Sequence, residues 1–310
     1  MPAGQDASWG LQPRLWRPDG HPHPSLQSWH SHLYGHPSQH SNTATMTDKQ
    51  MNLQLIDTHI HLDGNEFDED REATVQRARE AGVRMMLLPA VDIETSLHIR
   101  DLSRQYPGVL FPMVGLHPEE VGDDFSDVLA RMEGLFDGQT VAVGEVGLDF
   151  YWSREYEQQQ LEAFEIQVGW AVERRLPLMI HCRKAQNELV GILRKYESRL
   201  AGGVFHCFAG NAIEAAELLS FDGFALGIGG ILTFNKSKLP EVLPEAVPPH
   251  RVVLETDAPY MAPVPVRGRR NESAYLVHIV GKMAQAYGVP VEEMARITTE
   301  NTRRIFRLPS

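Results

Sequence analysis

Six residues far apart in the chain, His59, His61, Glu145, His181, His206 and Asp257, share one chemistry. Imidazole and carboxylate together suit zinc, manganese or iron, and accept magnesium where waters complete the coordination. In His59-Ile60-His61 the alternation of a strand puts both rings on one side. A pair so spaced can also be two hydrogen-bonded polar residues. The full set resists that explanation, because burying four histidines and two carboxylates leaves several ionisable groups in need of partners. One catalytic ion commonly takes about three protein ligands and keeps a position open. Six ligands suit two ions about 3.5–4 Å apart with a carboxylate between them. Such a pair stays net positive after Glu145 and Asp257 are counted, which favours a phosphodiester. No cysteine is needed. Cys182 and Cys207 each follow a ligand histidine, so alternation turns them away, and they are expected to be buried small hydrophobes.

The elements that must position these residues are short apolar runs alternating with amphipathic stretches. The runs are Leu53–Ile56, Met85–Pro89, Val109–Val114, Val141–Val143, Leu178–Ile180, Val204–Phe205, Phe224–Ile228 and Val252–Leu254. Each is short enough for a strand buried on both faces. Helical patterns are predicted over Glu69–Ala81, Thr95–Gln105, Tyr156–Arg174, Gln186–Tyr196, Ala212–Leu219, Glu272–Tyr287 and Val291–Phe306. Eight strands in strict alternation with helices predict an α/β fold of the (β/α)₈ TIM-barrel type, with a doubly wound open sheet as the rival. His59 and His61 follow the first run, Glu145 the fourth, His181 the fifth, His206 the sixth and Asp257 the eighth. All therefore fall at the C-terminal mouth of the barrel, the face on which βα loops build active sites.

Cations gather in the same loops. Arg183 and Lys184 follow strand five, Lys236 and Lys238 strand seven, and Arg267, Arg269 and Arg270 strand eight. Arg183 and Arg269 are the candidates for phosphate contacts, because a guanidinium can engage two oxygens at once. His117, after strand three, is a candidate to touch substrate phosphate or to support the ligands. Glu255 is placed to orient a ligand histidine through its ring N–H. Phe150-Tyr151-Trp152, in the loop after Glu145, offers rings that could stack on unpaired bases or pack the loop.

The chain has 310 residues, which fits one barrel of about 250 residues plus extras. Its net charge of −12 argues against coating duplex nucleic acid, though not against gripping a strand end in a locally basic pocket. Residues 1–45 carry many Pro, Ser and His residues without hydrophobic periodicity, and are expected to be a disordered tail. They lack the marks of a secretory or organellar signal, and no run of about 18 apolar residues exists for a membrane span. A cytoplasmic enzyme without membrane association or an obligate protein partner is expected.

The strings Asp57-Thr58-His59-Ile60-His61, Gly115-Leu116-His117-Pro118 and Gly144-Glu145-Val146-Gly147-Leu148-Asp149 occur in that order. They are followed by His181-Cys182-Arg183, His206-Cys207-Phe208, Glu255-Thr256-Asp257-Ala258-Pro259 and Arg269-Arg270-Asn271-Glu272. Together they resemble the TatD family of metal-dependent deoxyribonucleases, within the amidohydrolase superfamily, over about residues 52–308. The tail has no counterpart in that family core, so the resemblance assigns 46–310 to the hydrolase barrel. It implies two divalent ions (Zn²⁺, Mg²⁺ or Mn²⁺), one held by His59, His61 and Asp257, the other by His181 and His206, with Glu145 bridging. Asp257 is then either the group that orients and deprotonates the attacking water or a ligand alone. The implied activity is 3′→5′ exonuclease cleavage of single-stranded or frayed DNA. The rival is a two-metal hydrolase of an ester or amide, such as an aminoacyl ester on tRNA.

Overall fold

The computed structural model describes residues 53–309; the tail expected over 1–45 lies outside them. Eight parallel strands pair in sequential order: β1 (Leu55–Asp57), β2 (Val83–Leu88), β3 (Leu110–Val114), β4 (Ala142–Asp149), β5 (Leu178–Arg183), β6 (Gly203–Phe205), β7 (Phe224–Ile228) and β8 (Val252–Leu254). The sheet closes where Thr58 N–H donates to the Leu254 carbonyl (3.0 Å) and Asp257 N–H to that of His59 (2.9 Å). The barrel is thus the expected one, and the open sheet is excluded.

Helices α1 (Arg71–Glu80), α2 (Ile93–Gln105), α3 (Phe125–Glu133), α4 (Glu157–Arg174), α5 (Gln186–Tyr196), α6 (Ala212–Leu218), α7 (Leu239–Ala246), α8 (Leu276–Tyr287) and α9 (Val291–Phe306) accompany the strands. Two were not predicted. Helix α3 spans only nine residues, and α7 carries a proline in its first turn and Pro244 inside it, both of which mask a helical pattern.

One layer of side chains fills the barrel below its mouth. Ile56, Leu87, Met113, Ala142, Met179, Val204, Ala225 and Val253 form a buried cluster, with Ile305, Phe306 and Leu308 from the end of α9 packed into it. Helix α9 is fixed there by Asn301 Nδ2, which donates to the Val252 carbonyl (2.8 Å), and by Thr299 Oγ1, which donates to that of Gln54 (2.6 Å). Two residues further along their strands, Met179 gives way to His181, Val204 to His206 and Val253 to Glu255. Period-two alternation therefore stacks a polar layer directly on an apolar one.

Strand β4 is longer than its apolar run, so Glu145 lies within the ladder rather than beyond it. The β4–β5 register shifts between Val143 and Val146, a bulge of the kind that re-aims side chains beside functional sites. Past the bulge Gly147 pairs with His181. A Cβ on Gly147 would lie 1.8 Å from the His181 carbonyl oxygen, so only glycine lets the two strands approach here. Helix α4 secures the strand ends from outside. The buried Gln160 accepts from Asp149 N–H (3.0 Å), and Gln167 accepts from Leu116 N–H (2.7 Å).

Candidate metal centre

All six predicted ligands meet at the mouth, and Glu145 stands at their centre. Its Oε2 lies 3.2 Å from His59 Nε2 and 3.6 Å from His61 Nε2. Its Oε1 lies 2.8 Å from His206 Nε2 and 3.1 Å from His181 Nδ1. Each carboxylate oxygen thus faces a different histidine pair. Asp257 Oδ1 stands 3.7 Å from both His59 Nε2 and His61 Nε2. His59, Glu145, His181, His206 and Asp257 are buried, and His61 is partly exposed at the opening.

Within each pair the ring nitrogens crowd together: His59 and His61 Nε2 are 3.2 Å apart, as are His181 Nδ1 and His206 Nε2. Burial drives His59 down to about 3 and His61 to about 4, despite the nearby Glu145 carboxylate. Both rings are therefore neutral, with lone pairs directed at one spot. Burial also raises Asp257 to about 7 and Glu255 to about 8. The buried lone pairs of His59 and His61, pointing at one another beside an Asp257 carboxyl that resists ionisation, are relieved by a cation between them. The donor set thus fits divalent metal. His59, His61 and Asp257 place ligand atoms within 4.8 Å of one another, as do His117, Glu145 and His181.

The partners of these rings decide which nitrogen is free. His181 Nε2 meets Asp149 Oδ2 at 2.9 Å, which holds a proton on Nε2, and Nδ1 faces Glu145 Oε1 at 3.1 Å. Burial works against protonating His181, but Asp149 and Glu145 outweigh it and raise the ring to about 10. Asp149 had no role in the sequence reading. Its signal was the spacing Glu145, Gly147, Asp149, three positions on one side of β4. Asp57 was missed as well. This buried carboxylate accepts from Thr256 N–H (2.9 Å), Thr256 Oγ1 (2.6 Å) and Ser273 Oγ (2.6 Å), tying β1 to the loop that carries Asp257.

His117 lies 3.4 Å from Glu145 Oε1 through Nε2, and its Nδ1 accepts from Glu119 N–H at 3.2 Å. The accepting Nδ1 places the proton of the neutral ring on Nε2, so His117 faces the centre as a donor. Glu255 does not bond a ligand histidine in the way predicted. Its Oε1 is 3.8 Å from His206 Nδ1, beyond hydrogen-bond reach, and accepts from Cys207 N–H at 2.5 Å instead. Both His206 Nδ1 and Glu255 Oε2 are buried without a hydrogen-bond partner.

The surrounding cations divide. Arg183 lies 3.7 Å over the Tyr151 ring and 5.1 Å from the Trp152 ring, both rings partly exposed, while Phe150 is buried. Arg269 is exposed on the loop after β8. Arg270 is not available for phosphate: it donates to both Asp70 oxygens (2.6 and 2.9 Å) and covers Phe67. Lys238 stands 3.6 Å from Glu241. Cys182 and Cys207 are half-buried rather than fully buried. Among the described residues no helix is long and apolar enough to cross a membrane.

A sequence profile of the TatD related DNase family matches residues 56–307. The chain is 34% identical over 255 residues to the metal-dependent hydrolase YabD of Bacillus subtilis, covering 82% of this chain and 99% of that one. It is 35% identical over 261 residues to the 3′-5′ ssDNA/RNA exonuclease TatD of Pantoea vagans, covering 82% and 100%. Among solved structures, YJJV, a TatD homologue from Escherichia coli K12, superposes with a TM-score of 0.75 at 30% identity, covering 82% and 98%. Fold, ligand order and relatives agree: the chain is a metal-dependent hydrolase and belongs to the TatD family of deoxyribonucleases.

Proposed function

We propose that this enzyme is a two-metal 3′→5′ exonuclease acting on single-stranded or frayed DNA ends. The observation that carries the reading is the division of Glu145, with Oε2 toward His59 and His61 and Oε1 toward His181 and His206. On this reading His59, His61 and Asp257 hold one ion, His181 and His206 the other, and Glu145 belongs to both. Zn²⁺, Mg²⁺ or Mn²⁺ bound there would supply an activated water and charge stabilisation at the phosphate.

The chain's own residues do the rest. Asp257, whose carboxyl burial raises to about 7, would be a ligand to the metal and could take the proton of an attacking water. His117 presents its Nε2–H to a phosphate oxygen. Asp149 holds the Nε2 proton of His181, so that Nδ1 is the nitrogen that would give up its proton to bind a metal. Arg183 and Arg269 draw the strand to the opening, and Tyr151 and Trp152 give terminal bases a stacking surface that reads no sequence. The named activity of the Pantoea relative supports the single-strand preference and extends it to RNA. Two unpaired thiols suit a reducing, cytoplasmic setting.

The test is elemental analysis of the purified protein, together with degradation of a 5′-labelled single strand. Two metals per chain and a ladder shortening from the 3′ end are expected. No cleavage with Mg²⁺, Mn²⁺ or Zn²⁺ would overturn the nuclease reading. Cleavage of an aminoacyl ester in its place would install the rival hydrolase.

A further inference from the structure

The end of the barrel away from the metals carries a second feature. Arg175, Arg199 and Arg307, with Val172 and Ala201, line an open cleft of about 410 Å³. Arg175 caps α4 just before β5, Arg199 lies just before β6, and Arg307 caps α9. All three therefore stand at the N-terminal ends of the strands.

Their charge is not locally cancelled. In a chain of net charge −12, none of the three has a carboxylate within 4.0 Å among the described residues. Flanking carboxylates are taken by other arginines: Glu133 and Glu173 by Arg174 (3.0 and 3.7 Å), and Glu197 by Arg194 (2.7 Å). Helix C-termini at this end contribute only about half a negative charge each, less than the guanidiniums they face. The backbone adds a separate observation. Arg175 (φ 54°) and Arg307 (φ 53°) occupy left-handed cap positions, where glycine or asparagine is the favoured residue.

We infer that this cleft is a second anion site, distinct from the metal centre, that binds a small polyphosphate through Arg175, Arg199 and Arg307. The cleft is open and its three arginines are exposed, so a ligand there stays partly solvated and is held chiefly by charge. Three guanidiniums supply the forked donors that match phosphate oxygens. Arg199, stacked 5.0 Å over Tyr196, is already partly ordered for the task.

The test titrates the metal-loaded, full-length protein with inorganic pyrophosphate by calorimetry, with metal content measured before and after. The variants are Arg175→Asn, Arg199→Gln and Arg307→Asn, asparagine being chosen because it tolerates the left-handed backbone. Each substitution is expected to weaken binding about tenfold, the loss of one charge-assisted contact, with exonuclease activity unchanged. Glu145→Gln, which disables the metal centre, should bind pyrophosphate as the parent does. A parallel titration with a nucleoside diphosphate tells whether the phosphates alone are read, by equal affinity, or a nucleoside too, by tighter binding. The site is overturned if pyrophosphate does not bind, if the arginine variants bind unchanged, or if binding disappears in Glu145→Gln.

Discussion

The floor and the mouth of this barrel are built from the same strands, two residues apart, and obey opposite rules. At the floor Met179, Val204 and Val253 are buried in one wholly apolar cluster with Phe306 of α9 and Leu308 just beyond it, with no polar side-chain atom to satisfy. At the mouth His181, His206 and Glu255 are nearly as buried, yet ring nitrogens face one another at 3.2 Å and two buried polar atoms lack partners. The floor lowers the energy of the fold, while the mouth holds groups whose partner is not part of the chain. Burial alone does not tell the two apart; satisfaction of polar atoms does.

The sharpest way to break this comparison is Glu145→Gln. Activity should fall more than about a hundredfold, beyond the 10–100-fold that partners of metal ligands control. Metal content should fall with it, and the melting temperature should stay within a few degrees because the floor is untouched. A variant that keeps its metals and its rate would remove Glu145 from the centre. The converse substitution is Phe306→Ala at the floor. It should cost about 3–5 kcal/mol in denaturant unfolding, while the remaining folded protein keeps its metal stoichiometry. Stability unchanged by that substitution would show that α9 does not plug the barrel.

Between these lies Asp149→Asn, which touches the centre only through His181. Metal affinity or activity should drop about 10–100-fold, measured by competition with a chelator of known affinity. No change would mean that the His181 tautomer is set elsewhere. The smallest effect concerns the rim, where Arg270 and Arg77 hold the Asp70 carboxyl well below its usual range. Because that pKa is depressed by folding, its stabilisation is present above about pH 4 and is lost as pH falls through the depressed value. Asp70→Asn should remove under about 1 kcal/mol at neutral pH and flatten the acid limb of stability, since the pair is partly exposed. An unchanged acid limb would release Arg270 as a candidate for substrate.

The barrel, and the convergence of the six candidate ligands at its mouth, were legible in the sequence because both are written in short-range patterns. Apolar runs mark strands, and a polar residue at the end of each run marks the mouth. What tied the ligands in place was less visible. Asp149, Asp57, Gln160 and Gln167 act through partners 11 to 216 positions away, and a polar residue inside a helix such as α4 looks no different from a solvated one. The fate of Arg270 was hidden for the same reason. A cation after strand eight reads as substrate-facing until Asp70, 200 positions earlier, is seen beside it. Glu255 was expected to orient a ligand histidine, but the bond its Oε1 accepts from Cys207 N–H lies in backbone geometry rather than in residue type.

The closure of the sheet has a consequence for how the enzyme comes into being. Asp257 N–H donates to the His59 carbonyl, so the first and last ligands in the chain are neighbours across the seam. On a ribosome, His59 and His61 emerge roughly two hundred residues before the segment that must lie beside them. A chain cut short before β8 has neither Asp257 nor the hydrogen bonds that seat His59. The cluster at the mouth therefore comes together only after β8 and the Asp257 segment have been made, so the two ends of the chain's order meet last.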